Sequence, residues 1–153
     1  MNAHKVLIVD DDPGMREVLE TALATENLAV YASMDGKDAV QKTLAFKPDL
    51  ILLDVNMPNL NGLTFCKAIR ASAETRKIPV IIITGLTAQG RIEECMAAGA
   101  DDFLGKPFRV EELLIRVRAM LKTSHIANHG DRIHEYLLTT RELRKQLTGD
   151  AKP

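Results

Sequence analysis

The chain has 153 residues, 46% hydrophobic and 27% charged, enough for one globular domain with a real core plus an appendage but not for two comfortable domains. A formal net charge of −1 excludes a global field that would hold nucleic acid or an anionic membrane. No apolar run reaches membrane-spanning length, and the opening MNAHKVLIVDDD turns acidic too soon for a signal peptide, so a cytoplasmic protein is expected.

The first apolar run, KVLIVD, is followed by Met15, Val18, Leu19, Ala22 and Leu23 at helical spacing. LAVYAS then precedes an amphipathic stretch over 36–46, DLILLDV one over 61–73, PVIIITG one over 89–97, and DDFLGKP one over 109–122. Five strand–helix units predict an α/β fold, a doubly wound parallel sheet with ligands beyond the carboxyl ends of its strands. Pro48 and Pro79 punctuate the third and fourth strands, Gly62 lies near the start of the third helix, and Gly99 stops the fourth. Residues 123–153 contain no strand-like run. There Ile126, Ile133, Tyr136, Thr140, Leu143 and Leu147 fall near a seven-residue stripe, predicting a C-terminal helical extension that Gly130 interrupts or begins.

The residues at the strand ends carry the chemistry. The first strand ends in Asp10, Asp11 and Asp12, the third in Asp54, the fourth in Thr84 and Gly85, and the fifth in Lys106 and Pro107. A parallel sheet gathers these on one edge. Asp12 and Pro13 suit an N-cap and first helical position, which accounts for one aspartate only. Asp10 and Asp11 then face Asp54, and three carboxylates around one pocket are reconciled by a hard divalent cation. Mg²⁺ suits a site that keeps several waters, with Mn²⁺ as the alternative. Cys66 and Cys95 are expected to be buried reduced thiols, and His125, His129 and His134 solvent-facing.

The motifs VLIVDDDPGMRE, PDLILLDVNMPNLNG, PVIIITG and AGADDFLGKPF, in this order, make residues 4–122 resemble the response-regulator receiver domain, the phosphoacceptor module of two-component signalling. The resemblance implies a flavodoxin-like five-stranded sheet of order 2-1-3-4-5. It implies Asp54 as phosphoacceptor, served by a histidine kinase or histidine phosphotransfer protein. Metal ligands would be Asp10, Asp11, Asp54 and the backbone carbonyl of Asn56, and phosphoryl-binding residues Thr84, Gly85 and Lys106. Thr84 and Phe103 would form a switch, although Phe103 is equally well read as ordinary core. Lys106–Pro107 would be a junction with a cis peptide, Met57–Pro58 and Gly62 would shape the loop after Asp54, and Asn56 and Leu86 would tune water attack on the acyl phosphate. Phosphorylation would reshape the 88–122 face to control a partner, a homodimer or an output domain.

The organisation expected is a receiver over 1–122 and a helical tail or linker over 123–153. The tail suits a coiled-coil dimer or a helix packed on its own domain, and no nucleic-acid contact is expected from this segment. Two other readings exist. Asp10 and Asp12 have the spacing of haloacid dehalogenase-like phosphatases, which would leave Asp54 and Lys106 without a role. A non-phosphorylated scaffold would leave the whole set without one. The chain is therefore expected to be a signalling domain that assists only its own phosphorylation and dephosphorylation.

Overall fold

The computed structural model describes residues 3–57, 61–85 and 89–148. It divides into two compact units, Met1–Phe108 and Arg109–Pro153.

In the first unit the strands are β1 (Lys5–Val9), β2 (Ala29–Ser33), β3 (Leu50–Leu53), β4 (Val80–Gly85) and β5 (Asp102–Lys106). They form one parallel sheet in the order β2-β1-β3-β4-β5, the flavodoxin-like order. Val6–Val9 and Leu50–Leu53 are completely buried along their length, as continuous apolar strands covered on both faces must be. The helices of this unit are α1 (Pro13–Ala24), α2 (Ala39–Phe46), α3 (Gly62–Ala71) and α4 (Gln89–Ala97). A 3₁₀ turn at Gly36–Asp38 precedes α2, and α3 ends at Ala71, short of the stretch expected to reach residue 73.

The helix starts follow from local chemistry. Asp12 accepts a hydrogen bond from the Gly14 N–H at 3.0 Å, with Pro13 at the first helical position. Asn61 accepts from the Thr64 N–H at 3.1 Å and so caps α3. One core joins Leu7, Val9, Ile51, Leu53 and Ile82 of the strands to Phe65, Ile69 and Ile92 of the helices.

Two glycines mark close approaches. A Cβ on Gly62 would stand 2.7 Å from Val55 Cγ1. Gly99, which stops α4, has φ +113°, and a Cβ there would meet the Arg70 side chain at 2.9 Å. Arg70 is itself a hub. Its guanidinium donates to the carbonyl oxygens of Gly99 at 2.6 and 2.9 Å and of Ile78 at 2.7 Å, and to Asp101 Oδ2 at 2.8 Å. Asp101 also accepts from the Val80 N–H, so one buried carboxylate and one guanidinium tie α3 to the starts of β4 and β5.

Cys66 and Cys95 are free and buried, on α3 and α4, and a thiol–thiol hydrogen bond together with burial pushes the Cys66 thiol up. Neither is expected to react with iodoacetamide within minutes at pH 7.5, whereas both should react in urea. Intact mass before and after unfolding checks this, and fast alkylation of the folded protein would contradict it.

The second unit contains α5 (Val110–Thr123) and α6 (His129–Thr148). Asn128 starts α6 by accepting from the Asp131 N–H at 2.9 Å, so Gly130 lies in the first turn rather than breaking the helix. Tyr136 and Thr140 of the expected stripe are buried, while Leu147 is exposed. Glu112 of α5 accepts from Arg144 of α6 and from Arg116, and these two guanidiniums hold its carboxyl below the usual range. His125, His129 and His134 are exposed, and His125 precedes α6, so it does not share a helix with His129.

Candidate functional site

Backbone pairing continues one residue past β1 and β3 and draws two carboxylates together. The Asp10 N–H donates to the Ser33 carbonyl at 3.1 Å, and the Asp54 N–H donates to the Val9 carbonyl at 2.9 Å. Both residues are buried, Asp10 at 2% and Asp54 at 7% exposure, while Asp11 beside them is exposed. Carboxylate oxygens of Asp10, Asp11 and Asp54 lie within 4.8 Å of one another.

The surrounding donors are specific. Thr84 Oγ1, near the end of β4, donates to Asp54 Oδ1 at 2.8 Å, and the Asn56 N–H donates to the same oxygen at 2.9 Å. Lys106 Nζ, at the end of β5, stands 3.2 Å from both Asp10 Oδ2 and Asp54 Oδ2. Gly85 pairs in register with Lys106, which puts these two β-strand ends side by side. The Lys106–Pro107 peptide is cis.

The charges influence one another. Burial pushes the Asp10 carboxyl above its ordinary value, and the neighbouring Asp54 adds to this against the Asp12 N–H and Lys106. For Lys106, burial works against the charged form, yet Asp54 and Asp10 prevail and raise its pKa. One ammonium serves two buried carboxylates, with a third close by. A donor set of three carboxylates suits a hard divalent cation, so the cluster can hold a metal.

The structure thus brings together Asp10, Asp11, Asp54, Thr84 and Lys106, with Asn56 and Gly85 at the margin. Asp12 is not among the three clustered carboxylates, and its side chain caps α1 as its position predicted. Phe103 is 42% exposed, which overturns the reading of it as ordinary core: it lies on edge strand β5, where one neighbouring strand is missing. Pro58 and Leu86 lie outside the described residues. Sequence reasoning missed Arg91 in the first turn of α4, whose Nη1 donates to Asn56 Oδ1 at 2.6 Å. No periodicity signals a pair 35 residues apart.

The response regulator receiver domain family matches residues 6–118. The chain belongs to this family. The receiver is 40% identical over 121 residues to response regulator MprA of Mycolicibacterium vanbaalenii, covering 77% of this chain and 50% of that protein. It is 43% identical over 118 residues to response regulator ArlR of Staphylococcus saprophyticus, covering 77% and 52%. RpaA of Synechocystis, a DNA-binding dual master transcriptional regulator, is 35% identical over 142 residues, covering 88% and 58%. The receiver chain therefore spans about half the length of the curated relatives it matches.

Among solved structures, the receiver domain of the sensor histidine kinase PA1611 from Pseudomonas aeruginosa, with a magnesium ion in its active-site cleft, superposes with a TM-score of 0.72. It is 32% identical, covering 79% of this chain and 99% of that one. The chemotaxis protein CheY4 of Vibrio cholerae superposes with a TM-score of 0.71 at 33% identity, covering 78% and 99%. Receiver domains are signalling modules of two-component systems, partnered by histidine kinases and characterised by aspartate phosphorylation and magnesium. Among the described residues no helix is long and apolar enough to cross a membrane.

Proposed function

We propose that this receiver takes a phosphoryl group on Asp54 from the phosphohistidine of a histidine kinase or histidine phosphotransfer protein. The observation that carries this is Asp54 itself, a buried carboxylate with a hydroxyl on one oxygen and an ammonium near the other, beside an acid pair. An Asp54 oxygen attacks phosphorus without prior deprotonation, the nitrogen–phosphorus bond of the donor breaks, and the product is an acyl phosphate. Lys106 places positive charge against the phosphoryl oxygens, and Gly85 leaves room beside them.

Asp10, Asp11, Asp54 and the Asn56 backbone carbonyl would hold Mg²⁺, or Mn²⁺, which when bound neutralises charge on the transferring group. Thr84, released from Asp54 Oδ1, turns its hydroxyl to the phosphoryl group, and Phe103 moves inward as the second half of the switch. The segment 88–122 then alters a surface for a partner, a second copy or an output domain. Residues 1–122 form the receiver and 123–153 a tail or link. The reading places the protein in the cytoplasm, as a phosphoacceptor without turnover of an external substrate. Transcriptional output, the role named for RpaA, is a property we assign only to a longer protein containing this segment.

The test is intact mass after incubation with acetyl phosphate and Mg²⁺. One added phosphoryl group, absent when EDTA replaces Mg²⁺, is the expected result. No gain with Mg²⁺ bound would sink it.

Magnesium also gives a pH prediction. Because the folded Asp10 pKa lies above its unfolded value, this group's ionisation lowers stability as pH rises through the window above 3.8. A cation bound to ionised Asp10 reverses that. Millimolar Mg²⁺ should raise Tm at pH 7.5, and the increment should shrink on acidification sooner than for an ordinary carboxylate. Asp10→Asn should abolish the increment. A Mg²⁺ effect that does not decline on acidification towards pH 3.8 would contradict the raised pKa.

A further inference from the structure

Arg91 does nothing obvious for its own helix. It sits in the first turn of α4, where a cation opposes the helix dipole, and no acidic residue of that turn offsets it. Among the described residues its guanidinium makes one hydrogen bond, the 2.6 Å bond to Asn56 Oδ1. Asn56 is two residues past Asp54, and its backbone N–H donates to Asp54 Oδ1. A chain of two hydrogen bonds therefore runs from α4 to the carboxylate: Arg91 to Asn56, and Asn56 to Asp54. The α4 end of this chain is anchored, because the next residue, Ile92, belongs to the buried core.

The bond has a chemical consequence for the Asn56 side chain. Its amide oxygen is an exposed acceptor on the residue two past the phosphoacceptor, suited to hold a water by its proton. A charge-assisted bond from the guanidinium takes one of that oxygen's two lone pairs and fixes the orientation of the amide. We propose that Arg91 is a positioning residue that masks Asn56 Oδ1 and so prolongs the life of the phosphoryl group on Asp54. The inference rests on the reading of Asp54 as phosphoacceptor and adds a regulatory element to it, since any movement of α4 that withdraws Arg91 unmasks the amide and speeds hydrolysis. In that step water attacks phosphorus, the bond from phosphorus to the Asp54 oxygen breaks, and the carboxylate and inorganic phosphate are released.

The test charges the full chain with acetyl phosphate and Mg²⁺, removes the donor, and follows loss of the phosphoryl mass with time. Arg91→Ala is expected to lose it about 3- to 10-fold faster than the unsubstituted chain, within the range for residues coupled in one hydrogen-bond network. Arg91→Lys, which keeps a charged donor group, should restore most of the lifetime, and Arg91→Met, which keeps the stem alone, should behave as Arg91→Ala. Adding Asn56→Ala to Arg91→Ala should remove the acceleration, leaving the rate of Asn56→Ala alone. A surface-packing role would not produce that rescue.

Unchanged decay in both Arg91→Ala and Arg91→Met, or a double variant as fast as Arg91→Ala, overturns the role of Arg91 while leaving Asp54 in place. Failure of the unsubstituted chain to gain a phosphoryl group, or gain retained by Asp54→Asn, instead overturns the phosphoacceptor reading and this inference with it.

Discussion

Asp54→Asn is expected to reduce phosphoryl uptake from acetyl phosphate to background while the fold persists. An amide oxygen is a far weaker nucleophile than a carboxylate and forms no stable acyl phosphate, so the loss is complete rather than graded. The fold persists because an asparagine at this position still offers an oxygen to the Thr84 hydroxyl and the Asn56 N–H. Lys106 keeps Asp10 as its partner at 3.2 Å. Removing the Asp54 charge also removes one of the causes that raise the Asp10 pKa, so Asp10 should titrate lower in this variant. Intact mass, peptide mapping after borohydride trapping, and far-UV circular dichroism report these outcomes together. Label found on another aspartate would move the phosphoacceptor elsewhere.

The largest loss of stability is expected at Arg70. Arg70→Ala strips the fully buried Asp101 carboxylate of its guanidinium and leaves the Gly99 and Ile78 carbonyls without those donors. Breaking a buried ion pair from one side costs about 3–5 kcal/mol. Asp101→Asn should cost less, because the Val80 N–H retains an acceptor and the guanidinium left without its counter-charge is 20% exposed and keeps the Gly99 and Ile78 carbonyls. Combining Arg70→Ala with Asp101→Asn should cost less than the sum of the single changes, as residues in one network do. Urea midpoints at constant slope measure all three. A loss below about 1 kcal/mol for Arg70→Ala would mean that the pair behaves as an exposed one.

Much of the fold and of the site was legible without coordinates, and the reasons are local. Leu50–Leu53 can be placed as a strand because a run buried on both faces has to be apolar throughout. Asp12 and Pro13 announce α1 because a cap and a missing N–H act within one turn. Asp10, Asp54, Thr84 and Lys106 could be assembled because a parallel sheet places every strand's carboxyl end on one edge, whatever the separation along the chain.

Other features were not legible. Arg70 reads in the sequence as one more basic residue on a helix, yet its partners lie 29 and 31 residues away. Phe103 has the composition of a core residue and lies exposed, because β5 is the last strand of the sheet. Tyr136 and Leu147 share one apolar stripe on α6 but differ in burial, since helical spacing says which residues share a face and nothing about how far the face is covered.

By itself the sequence determined the strand and helix segments, the α1 cap and the set of strand-end residues with chemical roles, because periodicity, capping and sheet polarity act over a few residues or apply to every parallel sheet. Only the tertiary structure decided which oxygen of Asp54 meets Thr84 and which meets Lys106, that Arg91 reaches Asn56, that Arg70 holds Asp101, and that Phe103 stands exposed. These depend on side chains brought together across loops, where a difference of one ångström or one rotamer separates a hydrogen bond from none.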